Sequence, residues 1–140
     1  MKLYTTIYIL VAVSMFSCGN TRQETHEHLE EETDQSDWKE MDEFHLIMAE
    51  TFHPYKDSSN LEPAKTRARE LASAADRWSS AALPEKVDKE EIKSKLQQLR
   101  SETETLAENV RTADDNVIGE QLTRVHDTFH EIQEAWYGGH

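Results

Sequence analysis

A single cysteine, Cys18, serves 140 residues, so no disulfide can form within the chain. Only four glycines occur, two of them at 138 and 139, which excludes a glycine-built phosphate cradle or catalytic turn. No stretch alternates apolar and polar residues over a strand's length, which excludes a sheet with one wet face. No apolar run reaches the roughly 20 residues needed to cross a bilayer. Positive charge is scarce as well: 15 Lys and Arg stand against 28 Asp and Glu, a formal net charge of −13. Such a surface repels nucleic acid, whose binding depends on neutralising phosphates, but it draws cations diffusely. No nucleophile–base pairing stands out, and the chain is predicted not to be an enzyme.

Residues 1–17 carry Lys2 and a short apolar stretch broken by Ser14, the pattern of a cleaved export signal. The run Ser17-Cys18-Gly19-Asn20 resembles the cleavage site of bacterial lipoproteins, in its loose Bacteroidetes form. That resemblance implies that Cys18 becomes the lipidated first residue. With Gly19 after it, sorting to the outer membrane is implied, facing either the periplasm or the exterior. Residues 18–36 hold Glu24, Glu27, Glu30, Glu31, Glu32 and Asp34 with His26 and His28, and almost nothing apolar. Too little surface can be buried there to offset ordering entropy, so a disordered acidic tether is expected. Its membrane contact is through the lipid alone.

Residues 37–140 read as an all-α antiparallel up-down-up-down four-helix bundle. In the first helix Met41, Met48 and Phe52 form the apolar stripe with His45 beside it. Asp37 is expected to cap its start, and Pro54 to end it near His53. The second helix spans about 61–82 with a seam of Leu61, Ala64, Ala68, Leu71, Ala75, Trp78 and Ala82. Small residues dominate that seam, so a neighbour can approach closely. Asp88 is expected to cap a third helix whose seam is Ile92, Leu96, Leu99, Thr103, Leu106, Val110 and Ala113, spaced as in a coiled coil. After an Asp114-Asp115 turn the fourth helix carries Ile118, Leu122, Val125, Phe129, Ile132 and Trp136, and stops at Gly138-Gly139. Trp38, Trp78 and Trp136, near helix ends, are expected to close the bundle.

Four of the seven histidines fall on the first and fourth helices: His45, His53, His126 and His130. Counted from Met41, His45 lies at about +40° and His53 at about +120°. Counted from Ile118, His126 lies at about +80° and His130 at about +120°. All four sit on one rotational side of their seams, and the bundle's handedness decides whether they converge. If they do, His126 and His130, one turn apart, can share an ion with His45 across the groove, level with roughly His126. Met48 sulfur, a carboxylate or water would complete the shell. Imidazole suits zinc or copper, and a thioether favours copper. The plain alternative is that these are seam-edge packing residues, each with one nitrogen satisfied.

Residues 38–137 also resemble the b-type and c-prime cytochrome bundles: Met41 falls early in the first helix and His130 late in the fourth, where the b-type family holds haem. A Cys-x-x-Cys-His motif is missing, which excludes covalent c-type haem. The histidine pattern is similar, too, to periplasmic metal-sensing bundles of nickel and cobalt resistance. The combined expectation is a lipid-anchored envelope protein that buffers or senses zinc or copper. Its rivals are a haem b electron carrier and a cofactor-free bundle that meets a protein partner in the envelope. Growth with a radioactive fatty acid should label the wild-type chain, and Cys18→Ala should abolish the label.

Overall fold

A computed structural model describes residues 37–138. The signal segment 1–17, the tether 18–36 and the lipidation site Cys18 lie outside the described residues. Four helices follow one another: α1 Lys39–Ser58, α2 Glu62–Ser80, α3 Glu90–Asn109 and α4 Asp115–Gly138, with one 3-10 turn, Glu85–Val87, before α3. Each packs on the next, and α1 closes the ring against α4. The four-helix bundle expected from the seams is therefore the fold. Among the described residues no helix is long and apolar enough to cross a membrane.

The seams enter the core largely as their spacing requires. Ala64, Ala68, Leu71, Ala75 and Trp78 of α2 are buried against Ile92, Leu96, Leu99 and Leu106 of α3 and Ile118, Leu122, Val125, Phe129 and Ile132 of α4. Buried hydroxyls turn back on their own helices: Thr51 Oγ1 donates to the Met48 carbonyl at 2.9 Å and Thr103 Oγ1 to that of Arg100 at 2.8 Å. No polar group is stranded by placing these threonines inside. Ala82 is exposed, because α2 stops at Ser80.

The three tryptophans gather at one end. Trp38 lies 5.1 Å from Trp78 and 5.4 Å from Trp136, centroid to centroid, and Lys86 caps the Trp136 face at 3.3 Å. The start of α1 thus meets the end of α4, which fixes their antiparallel course. An aromatic ladder runs inward from that end through Phe44, 5.5 Å from both Trp78 and Phe129. Ion pairs between neighbouring helices, such as Lys65–Asp115 at 2.8 Å and Arg100–Asp76 at 3.0 Å, lie on the surface and add little.

Three sequence expectations about helix ends are corrected. Pro54 does not end α1, which continues to Ser58. The ring removes one backbone hydrogen bond, the one that would reach the Glu50 carbonyl. Packing of the extra turn outweighs that loss: Tyr55 lies against Phe52 and over Gly119 of α4. Ser59, with φ of 56°, then reverses the backbone so that the Ser59 and Asn60 N–H groups donate to the Tyr55 and Pro54 carbonyls. Asp37 and Asp88 do not cap: the N-cap positions are Trp38 and Lys89, neither with a side-chain cap bond. Asp88 instead pairs with Lys93 at 2.8 Å. Asn60 and Asp114 do the capping, their Oδ1 atoms accepting from the Glu62 N–H and from the Asn116 and Val117 N–H groups.

Gly119 shows how tightly that extra turn is held, since a Cβ there would come within 2.5 Å of the Tyr55 hydroxyl. Gly119→Ala should gain about 1 kcal/mol of helix propensity and lose about 1–3 kcal/mol to overpacking, for a net lower urea midpoint. A net gain would show that Tyr55 swings clear at little cost.

Candidate metal centre on the α1–α4 groove

The apolar stripe of α1 is wider than its spacing from Met41 suggested. Phe44, Ile47 and Thr51 are buried along with Met41, Met48 and Phe52. The buried face is thereby turned away from His45, which stays exposed at its edge. On α4 the core face is Ile118, Leu122, Val125, Phe129 and Ile132, and His126 and His130 flank it half-buried. The edges of the two helices face each other. One small cavity is lined by His45, Met48, Ala49, Phe52, His53, His126, Phe129 and His130. All four histidines singled out in the sequence therefore border a single groove.

Their levels differ from the sequence expectation by about one turn. The His126 ring stacks on Phe52 at 3.7 Å, and the His45 ring stacks on Phe129 at 5.3 Å. His45 is consequently level with His130 rather than His126. Carrying α1 past Pro54 is the reason: the end that meets the start of α4 is Ser58, not His53, and every α1 residue shifts along the groove. Ala49, midway between His45 and His53 on one helix edge, leaves open the space opposite the α4 imidazoles.

The closest approach in the groove is between Nε2 of His126 and Nε2 of His130, 3.0 Å apart. The other nitrogen of His126 faces Asp127, Nδ1 to Oδ1 at 3.2 Å. A carboxylate only accepts, so Nδ1 of His126 carries the proton and its Nε2 turns a lone pair into the groove. In the free protein His130 Nε2 then donates to it. Two nitrogens that share a tetrahedral ion at 2.0–2.1 Å stand about 3.3 Å apart, so small ring movements, with the His130 proton carried on Nδ1 instead of Nε2, would admit an ion between them. The carboxylate–imidazole pair is the arrangement that fixes a metal-binding tautomer.

Among the described residues, no three His, Cys, Asp or Glu side chains already enclose one point. The structure brings together two nitrogens, from His126 and His130, and sets His45 and His53 along the same groove without closing on them. Met48 and Ala49 are further lining residues. Met48 was visible in the sequence as a candidate sulfur donor, whereas Ala49 gave no signal beyond its small size.

Burial lowers the pKa of two of these histidines. For His45, desolvation against Phe129 is the largest cause, the nearby His130 and His53 add to it, and Asp42 opposes it. For His126, desolvation again leads; the Asp127 bond opposes it, while His130 and Lys56 reinforce the lowering. Between those lowered values and the ordinary 6.5, the unfolded chain binds more protons than the folded one. Stability of the metal-free protein should therefore fall as pH drops from 6.5 through the folded-state values. Urea midpoints measured from pH 7.5 to 5 should show this decline, and it should flatten in His45→Gln/His126→Gln.

No protein-family model, no curated protein and no solved structure matches the chain, so its functional reading rests on the chemistry of this groove.

Proposed function

We propose that the bundle binds one transition-metal ion, zinc or copper, in the α1–α4 groove, and buffers or senses that metal from a lipid anchor at Cys18 in the cell envelope. The observation that carries this reading is the His126–His130 pair, 3.0 Å between Nε2 atoms with Asp127 behind His126. Packing alone accounts for the stacked rings and for the Asp127 contact, but it does not require two Nε2 atoms to meet. Here the two imidazoles meet at the edge of a cavity bordered by two more. The chain's net charge of −13 draws cations diffusely toward its surface. His45, level with His130 and exposed at the groove's edge, is placed to supply a third nitrogen to an ion that demands one.

The cavity also bears on the haem alternative with Met41 and His130 as ligands. Its volume is about 20 Å³, room for one water or ion and far short of a macrocycle. Met41 is fully buried at the tryptophan end of the core, and Phe129 is stacked on His45 and packed against Phe44. Haem would have to displace this aromatic packing, and a single ion would not.

Calorimetric titration of the full chain carrying Cys18→Ser should show one equivalent of zinc or copper bound. His45→Ala/His126→Ala/His130→Ala should abolish it, and Asp127→Asn should weaken it by about 10- to 100-fold. Binding unchanged in the triple variant would sink the proposal.

A further inference from the structure

Resting on that reading, the geometry points to a more specific ligand: we propose that the groove is a site for monovalent copper, held by Nε2 of His126, Nε2 of His130 and the thioether sulfur of Met48. Three features of the site separate this ion from a divalent competitor.

The first is the donor set. Nitrogen donors that already approach one another number two, and no third His, Cys, Asp or Glu closes on them among the described residues. Zinc sites take four ligands drawn from nitrogen, oxygen and thiolate sulfur. Met48 supplies what that set lacks. It lines the same cavity and is 1% exposed, so its side chain is shielded from solvent. Two imidazoles and one thioether form a soft, low-coordinate set, and thioether ligation selects monovalent copper.

The second feature is charge. No carboxylate lines the cavity. Asp127 is engaged on the far nitrogen of His126 and is itself exposed. All the donors that meet the ion are therefore neutral. The cost of moving an ion out of water rises with the square of its charge, so a dication bears about four times the penalty of a monocation where no anion compensates.

The third is the wall. Phe52 and Phe129 border the cavity, each stacked on an imidazole. The remaining space, about 20 Å³, holds the ion without a hydration shell. Zinc and divalent copper would have to keep waters there or draw His45 in. Monovalent copper needs neither. Exposed His45 and His53 then serve as flanking imidazoles through which the ion enters and leaves.

The test uses the full chain with Cys18→Ser throughout, because a thiolate is itself a copper ligand. Under anaerobic reducing conditions the protein competes with bicinchoninate for monovalent copper; zinc affinity is measured separately against a chromophoric chelator. Met48→Leu preserves core volume, and circular dichroism checks its helicity. Wild type should bind monovalent copper more tightly than zinc. Met48→Leu should lower copper affinity by about tenfold or more while leaving zinc affinity within about twofold. The copper X-ray absorption spectrum should show a sulfur scatterer that vanishes in Met48→Leu. Tighter zinc binding, or copper affinity and spectrum unchanged in Met48→Leu, would overturn the copper assignment and leave the metal site standing. No binding of either ion, or binding indifferent to His126→Ala/His130→Ala, would remove both.

Discussion

Two reciprocal ring stacks set the relation between the first and last helices. Phe52 of α1 lies on His126 of α4, and Phe129 of α4 lies on His45 of α1. Each helix thus contributes one phenyl ring to the core edge and one imidazole to the groove. The stacks fix the register of α1 against α4 and hold apart two helices that would otherwise close on small side chains such as Ala49. The opening they maintain is what a ligand can use. Elsewhere in the ring the helices meet more closely, above all where α2 offers alanines.

The same arrangement explains why the imidazoles stay available. A ring with one face against a phenyl is partly desolvated, which disfavours its protonated form. Asp127 holds the proton of His126 on the outer nitrogen and leaves the inner one an acceptor, which faces His130. Neutral donors and a dry wall face the groove while the acidic surface lies outside it. In the proposed metal site, long-range attraction for cations and short-range preference among them would come from different parts of the molecule.

Much of the bundle was legible because a helix's apolar period survives in the sequence whatever surrounds it. The α3 seam from Ile92 to Leu106 and the α4 seam from Ile118 to Trp136 are buried as their spacing required. The helix ends were less legible. Asp37, Asn60, Asp88 and Asp114 carry the same capping chemistry, yet only Asn60 and Asp114 have backbone N–H groups presented to them. Pro54 shows the limit most clearly. Local preference says stop, and the contact of Tyr55 with a glycine more than sixty positions further along says continue. No local window contains that information.

The sequence by itself determined an all-helical chain, the side of α1 and of α4 on which the histidines lie, and an acidic surface, because each follows from composition or from a repeat of 3.6 residues. Only the tertiary structure decided that the two histidine-bearing edges face one another, that His45 stands level with His130, and that Met48 and two phenyl rings enclose the space between them. Those depend on the direction in which the bundle winds and on how far α1 extends, and both are fixed by contacts between residues distant in the chain.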